Sequence, residues 1–204
     1  MVKQTFLNLP EEKRTAFINA ARKEFARVPL NEASVANIIK EAAVSRGSFY
    51  QYFEDKESLY FYLLTELTKE KRLAFIGYLT QHNGDIFKAI KEAFLVGLAE
   101  IGMRDKKCFY RNVFLNLTYK TEKAFLNALN ENDFGRQYEV IESLINKEIL
   151  NLEDDAEAYH IVQIVLTVMM QNIVTKFAQD LPDDVVINNF DTQMSLLKRG
   201  FSKK

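Results

Sequence analysis

Apolar residues recur every three or four positions along nearly the whole chain, and the two-residue alternation of a strand is almost absent, so an all-α fold is predicted. Phe17, Ala20, Ala21 and Phe25 line a helix from about Pro10 to Arg27. Asn8 stands near its cap, Glu11 and Glu12 are in its first turn, and Val28-Pro29-Leu30 ends it. Ser34 is placed to cap a second helix carrying Val35, Ile38, Ile39 and Ala42. Ser45 is placed to cap a short third one on which Phe49 and Phe53 share a face. A long fourth helix, capped by Asp55, runs through Leu59, Leu63, Leu67, Leu73, Phe75 and Leu79 to about Gln81, where His82-Asn83-Gly84 stops it. Asp85 caps a fifth, ending near Gly102, and further helices are expected over about 105–118, 121–131 and 135–150.

The last two helices differ in character. From His160 to Phe177 the chain is apolar nearly all round, and such a helix needs cover on more than one side. Pro182-Asp183-Asp184 then starts a final helix with Val186, Ile187, Phe190, Met194, Leu197 and Phe201 on one stripe. Two such helices from each of two protomers would make a four-helix interface, with Ile164, Val168, Gln171, Ile187, Phe190, Met194 and Leu197 as its candidate residues. The alternative, that both helices finish a monomer core, stays open at this point.

The segment Ser34–Leu59 reads as a helix-turn-helix. Ala42-Ala43-Val44 leaves only a tight turn between the two short helices, and inward Phe49 and Phe53 put Arg46, Gly47, Ser48, Tyr50 and Gln51 on the outer and flanking faces. A cation, an open stretch of backbone, hydroxyls and an amide are the groups that phosphates and base edges accept. The run Ser34-Val35, Ile38, Ala42, Val44-Ser45, Gly47-Ser48-Phe49-Tyr50, Phe53, Lys56-Glu57, Leu59 resembles the TetR family of bacterial transcription regulators over roughly residues 8–60. Two departures stand out: Ala43 occupies a turn position where the family usually has glycine, and Gln51-Tyr52 replaces a more usual Tyr-His pair.

The resemblance implies a three-helix DNA-binding headpiece over residues 1–55, and a larger helical ligand-binding and dimerisation domain over 56–204. It implies a homodimer, most often a repressor, that holds a palindromic double-stranded DNA operator and lets go when a small effector binds. Ser34 would then clamp a phosphate, Arg46 fork onto a guanine, and Gly47 allow close approach to a base edge. Tyr50, Tyr52 and Lys56 would reach phosphates, with partial packing against the Pro10–Arg27 helix as the alternative for Tyr52, and with Ser45, Ser48 and Gln51 alongside. An effector cavity is implied among the C-terminal helices, with Tyr78, Phe94, Phe109, Asn112, Phe114, Asn116, Gln163 and Met170 as candidate lining and Tyr119 and Gln171 as further polar handles. The absence of a buried charge cluster there favours an apolar effector. Two other readings remain: a DNA-binding regulator that needs no ligand, and a helical ligand-binding protein that no longer binds DNA.

Composition narrows the field without changing this picture. The 204 residues are 48% apolar and 27% charged with net charge −1, which argues against indiscriminate coating of nucleic acid. Residues 1–55 carry eight bases against seven acids, so the motif rather than the charge supports DNA binding. Cys108 is the only cysteine, which excludes an intrachain disulfide, fits a reducing compartment and, between aromatic neighbours, reads as a buried thiol. Early charge at Glu11-Glu12-Lys13-Arg14 argues against a signal peptide. Gln163, Gln171 and Asn172 argue against a membrane span, so a soluble cytoplasmic protein is expected. His82 sits at a helix end, where a carbonyl cap or a solvent-facing residue is expected, and His160 with Glu157 and Cys108 fits no metal template. With no nucleotide loop or nucleophile elbow, neither catalytic residues, nor a metal, nor a cofactor are expected.

Overall fold

A computed structural model describes residues 2–116 and 140–203. Among them the regular structure is helical: α1 (Gln4–Leu7), α2 (Glu11–Arg27), α3 (Val35–Glu41), α4 (Arg46–Tyr52), α5 (Lys56–Gln81), α6 (Ile86–Gly102), α7 (Arg104–Leu115), α8 (Glu157–Gln179) and α9 (Asp183–Phe201). The helix expected over 121–131, with Tyr119 and Phe125, lies outside the described residues. The one expected over 135–150 is described from residue 140; it is helical only to 144, and a 3₁₀ turn follows at Lys147–Ile149. Helix α1 has no counterpart in the periodic pattern. Asn8 accepts the Gln4 amide at 3.0 Å instead of capping α2, which starts behind Pro10.

The described residues pack as two compact units, one drawn from Met1–Thr68 and Met103–Ala128, the other from Lys69–Gly102 and Leu129–Lys204. The first unit thus extends past residue 55 and takes in α7. Its core is aromatic: Phe6, Phe17, Phe25, Phe49 and Phe53 are fully buried with Ile38, Leu59 and Leu64. Helix α7 lies against α2, and the Asn112 amide donates to Phe25 O (2.9 Å) and Ala26 O (3.1 Å), carbonyls that the end of α2 leaves without helical partners.

In the second unit α6, α8 and α9 pack together around Phe94 and Phe190, whose rings stack with centroids 4.0 Å apart. Asp85 caps α6, accepting from the Phe87 and Lys88 N–H groups, as its position before the helix predicts. Gly84 adopts φ +78, and a Cβ there would stand 2.4 Å from Leu144 O, so this turn accepts no side chain. Contrary to the reading of Gln163, Gln171 and Asn172, α8 is long and apolar enough by composition to cross a membrane. Its buried positions, Ala158, Ile161, Val162, Val165, Asn172, Ile173 and Phe177, lie toward one side, and Asn172 donates to Gln193 Oε1 of α9 at 2.6 Å.

The turn between α3 and α4 shows what Ala43 costs. Val44 N–H reaches back to Ile39 O (3.0 Å) and Ala43 N–H to Lys40 O (3.3 Å), the paired bonds of a Schellman helix end. That motif requires a left-handed residue, and Ala43 takes φ +52 with its methyl in place. Left-handed backbone costs a Cβ-bearing residue about 1–2 kcal/mol, part of which glycine returns through its freer unfolded chain. Ala43→Gly is therefore expected to stabilise the protein by about 1 kcal/mol. A raised urea midpoint would show it; a lowered one would mean the turn is not strained.

Candidate nucleic-acid interface

Helix α4 is held by its two inward phenylalanines and by its caps. Phe49 and Phe53 are fully buried, Phe53 4.8 Å from the Phe6 ring and stacked on Phe17 at 5.9 Å. Ser45 caps the first turn, its hydroxyl accepting Ser48 N–H at 3.0 Å and pairing with the Ser48 hydroxyl at 2.8 Å. Ser45 and Ser48 are thus engaged with each other.

Arg46, Gly47, Tyr50 and Gln51 are exposed on this helix. The Arg46 guanidinium lies 5.9 Å from the Tyr50 ring centroid, one turn along, which limits its rotamers before any partner arrives. At Gly47 an added Cβ would meet nothing closer than Ser45 Oγ at 3.7 Å. The fold leaves room for alanine, so the glycine answers to no packing demand of its own chain.

Two candidate residues, Lys56 and Ser34, are placed differently from the sequence expectation, and Tyr52 follows the packing alternative. Tyr52 is half-buried, its ring 5.7 Å from Phe6 and 5.6 Å from Phe17, so it is first a core side chain. Lys56 donates to Asn31 O (2.9 Å) and Ala33 O (3.0 Å), tying the α2–α3 loop to the start of α5 and leaving one of its three N–H donors. Ser34 stands at the start of α3, but its hydroxyl makes no cap bond and its N–H is already taken by Glu24 Oε1 at 2.8 Å.

Glu24 is the residue that the sequence pattern passed over. It is 5% exposed, and Arg27 grips it with two hydrogen bonds of 2.9 and 2.8 Å; Ser34 N–H and the Asn37 amide also donate to it. The signal was available, because position 24 falls on the apolar stripe of α2 beside Ala20, Ala21 and Phe25, where a carboxylate needs a partner. These bonds, Arg27 first, hold its carboxyl down to about 2 against the opposing effect of burial.

The ligand and interface candidates divide between the units. In the first, Phe109 and Phe114 are buried, the Asn112 amide is spent on α2, and Asn116 is exposed with its amide on Asn112 O. In the second, Tyr78 and Met170 are half-buried, and Gln163 is exposed and bonded to the Tyr159 hydroxyl. Phe94 and Phe190 are fully buried and stack on each other within the core of this unit, so Phe190 does not face outward as the interface expectation requires. Met194 is buried in the same unit, so it too belongs to the core and not to an outward interface. Ile164 and Gln171 are exposed, Val168, Ile187 and Leu197 partly so, and exposed Val185 and Leu196 join them unforeseen. Cys108 is exposed, not buried: Phe109, Tyr110, Val113 and Phe114 take the inward side of α7. His82 bonds Glu92 at 2.5 Å, a side-chain partner instead of a carbonyl. No metal-binding cluster occurs among the described residues.

The depressed Glu24 carboxyl fixes a pH dependence. Its folded pKa lies below the unfolded value of 4.5, so its contribution is fully present above that value and disappears as pH falls toward 2. Discounted for the solvent around Arg27, the loss is expected to be about 2 kcal/mol. Urea unfolding at neutral pH and near pH 3 reads it; in Glu24→Gln the gap between the two should shrink, and an unchanged gap would assign the acid sensitivity elsewhere.

Comparison with known proteins agrees with this geometry. The family model described as bacterial regulatory proteins, tetR family, matches residues 17–63, and that of the tetracyclin repressor-like C-terminal domain matches residues 85–201. Over 61 residues the chain is 34% identical to the uncharacterized HTH-type transcriptional regulator YdgC of Bacillus subtilis (strain 168), covering 30% of this chain and 31% of that protein. The chain thus spans about a third or less of the curated relatives it matches. Reduced E. coli NemR is similar with a TM-score of 0.65 at 12% identity, over 95% of this chain and 99% of that one. The regulator FadR from Bacillus subtilis, solved in complex with stearoyl-CoA, is similar with a TM-score of 0.62 at 18% identity, over 91% and 98%. At these identities the likeness to solved structures is one of fold. The C-terminal family match alone spans more than half of the chain, and together with the helix-turn-helix it places the protein in the TetR family of DNA-binding transcriptional regulators, which are not enzymes.

Proposed function

We propose that the protein is a homodimeric, cytoplasmic repressor that reads a palindromic operator with the exposed edge of α4 and is released by a small apolar effector. The observation that carries the DNA half is the rigid presentation of Arg46, Gly47, Tyr50 and Gln51 on a helix whose opposite side is fully buried. Arg46 suits guanine O6 and N7, and bare backbone at Gly47 permits contact that a side chain would hold off. Tyr50 and the remaining donor of Lys56 suit phosphates, which position without specifying.

Two-fold pairing is supported by Ile164, Val185 and Leu196, apolar side chains left exposed on α8 and α9. One helix-turn-helix contacts few base pairs, and a dimer places two in successive major grooves of a palindrome. The effector reading rests on the apolar character of the C-terminal helices and on FadR, a protein of similar fold solved with stearoyl-CoA.

Titration of DNA upstream of the gene, and of a duplex selected from a random pool, tests this reading. Arg46→Ala is expected to relax sequence preference by about 1–3 kcal/mol at one base-pair position, with little change on unrelated DNA. Gly47→Ala should stabilise the free protein by roughly 0.5–1 kcal/mol while weakening DNA binding. A protein that selects no duplex would leave a ligand-binding protein as the function. A DNA complex that no apolar compound dissolves would leave a regulator without an effector.

A further inference from the structure

The end of α4 raises a question that the helix itself does not answer. A helix leaves its last four carbonyls without internal partners, and in a seven-residue helix those are more than half of the total. Phe49 O accepts from Phe53 N–H at 2.9 Å. The other three are each met by the segment Val2–Leu7, some fifty residues away in sequence. Lys3 Nζ donates to Tyr50 O at 2.7 Å, the Thr5 hydroxyl donates to Gln51 O, and Lys3 N–H donates to Tyr52 O at 2.9 Å. A bridge between Val2 and Phe53 extends the pairing. Phe6, fully buried among Phe17, Tyr52, Phe53 and Tyr62, anchors the segment in place.

We propose that residues 2–7 form a detached C-terminal cap of the recognition helix, and that Lys3 and Thr5 are positioning residues for operator discrimination. This rests on the DNA-binding reading of α4. The carbonyls they hold belong to Tyr50, Gln51 and Tyr52, so the cap fixes the backbone from which Tyr50 and Gln51 project. The Lys3 ammonium also sits where the helix dipole is negative, and adds stabilisation that a neutral donor lacks. Without these donors the last turn frays, and side chains that must meet base edges within hydrogen-bonding tolerance lose their fixed origin. Contacts to phosphate tolerate such looseness better, because they carry no base information.

The test uses the full chain with Thr5→Val, Lys3→Met and the conservative Thr5→Ser, all retaining Phe6. Affinity is measured for a duplex selected from a random pool by the unaltered protein and for a scrambled duplex of equal length, at several salt concentrations. Amide exchange of Tyr50–Phe53 is followed in the free protein. Thr5→Val is expected to lower the ratio of selected to scrambled affinity about fivefold and to speed that exchange by a similar factor, with the salt slope unchanged. Thr5→Ser should restore both, and Lys3→Met should repeat the loss of ratio. Equal weakening on both duplexes, with a salt slope reduced by about one in Lys3→Met, would make Lys3 a plain phosphate contact and overturn the proposal. Faster exchange with an unchanged ratio would overturn it too, leaving a structural cap only. If the unaltered protein selects no duplex, the DNA-binding reading itself fails, and unchanged exchange in the variants would then refute the cap independently.

Discussion

A seven-residue helix does not persist in water by itself, since about twice that length is marginal even for good helix formers. Everything that α4 offers to a duplex therefore depends on bonds supplied from outside it. Ser45 serves its first turn, Phe49 and Phe53 press it into an aromatic core, and Lys3 and Thr5 meet its last carbonyls. Packing alone would hold the axis while leaving the ends free to fray. Hydrogen bonds alone would hold the ends of a rod that could still roll. The combination fixes both position and rotation, which is what a reader of base edges requires.

Helix α3 is fixed by a different device. Its start carries no side-chain cap of its own, and Glu24, reaching across from α2, does that work at Ser34 N–H and at the Asn37 amide. Burying a carboxylate is unfavourable unless it is paired, and the two-pronged Arg27 contact meets that condition while Arg27 itself stays in solvent. The result is a directional tie between the scaffold helix and the first helix of the motif. An apolar residue at position 24 could pack there, but it could not fix the register of α3 against α2. Lys56 adds a third tie from α5 to the loop between them, so each of the short helices is referenced to a long one.

Much of this fold was legible in the sequence because its helix ends obey local rules. Asp55, Asp85 and Ser45 accept backbone N–H groups as caps where their positions before periodic segments predict them, and Asn83-Gly84 ends α5 with two left-handed residues. What escaped was tertiary in origin. Helix α1 is too short to show a period, and its meaning lies in Phe6 and in bonds to residues far along the chain. The inward side of α6 and α9 was correctly apolar, but periodicity does not say whether an inward ring meets its own core, a ligand or another chain; Phe94 and Phe190 meet each other. Cys108 differs from its expected burial for a related reason: next to two aromatic residues in sequence, it lies on the exposed side of α7. The candidate interface residues on α4 follow from turn length and the two phenylalanines, whereas Glu24, Lys3 and Thr5, which hold the motif, are defined only by what they touch.

Two local choices within five residues run against backbone preference, and in opposite directions. Ala43 takes a left-handed conformation that suits glycine, and Gly47 occupies a helical position with room for alanine. Sequences that specify one structure usually agree with themselves at this level, and disagreement concentrates where something other than stability is selected. At Gly47 the space is open, on the exposed edge beside Arg46 and Tyr50, so no packing demand of the chain's own fold accounts for the missing side chain. Nothing that Ala43 touches explains its methyl. The strain at Ala43 and the missing side chain at Gly47 both weaken the motif's own stability, and both fall in the stretch where the remaining ties, from Ser45, Glu24, Lys3, Thr5 and Lys56, are most dense. A motif weakened by its own sequence in this way depends for its shape on the surrounding helices that hold it.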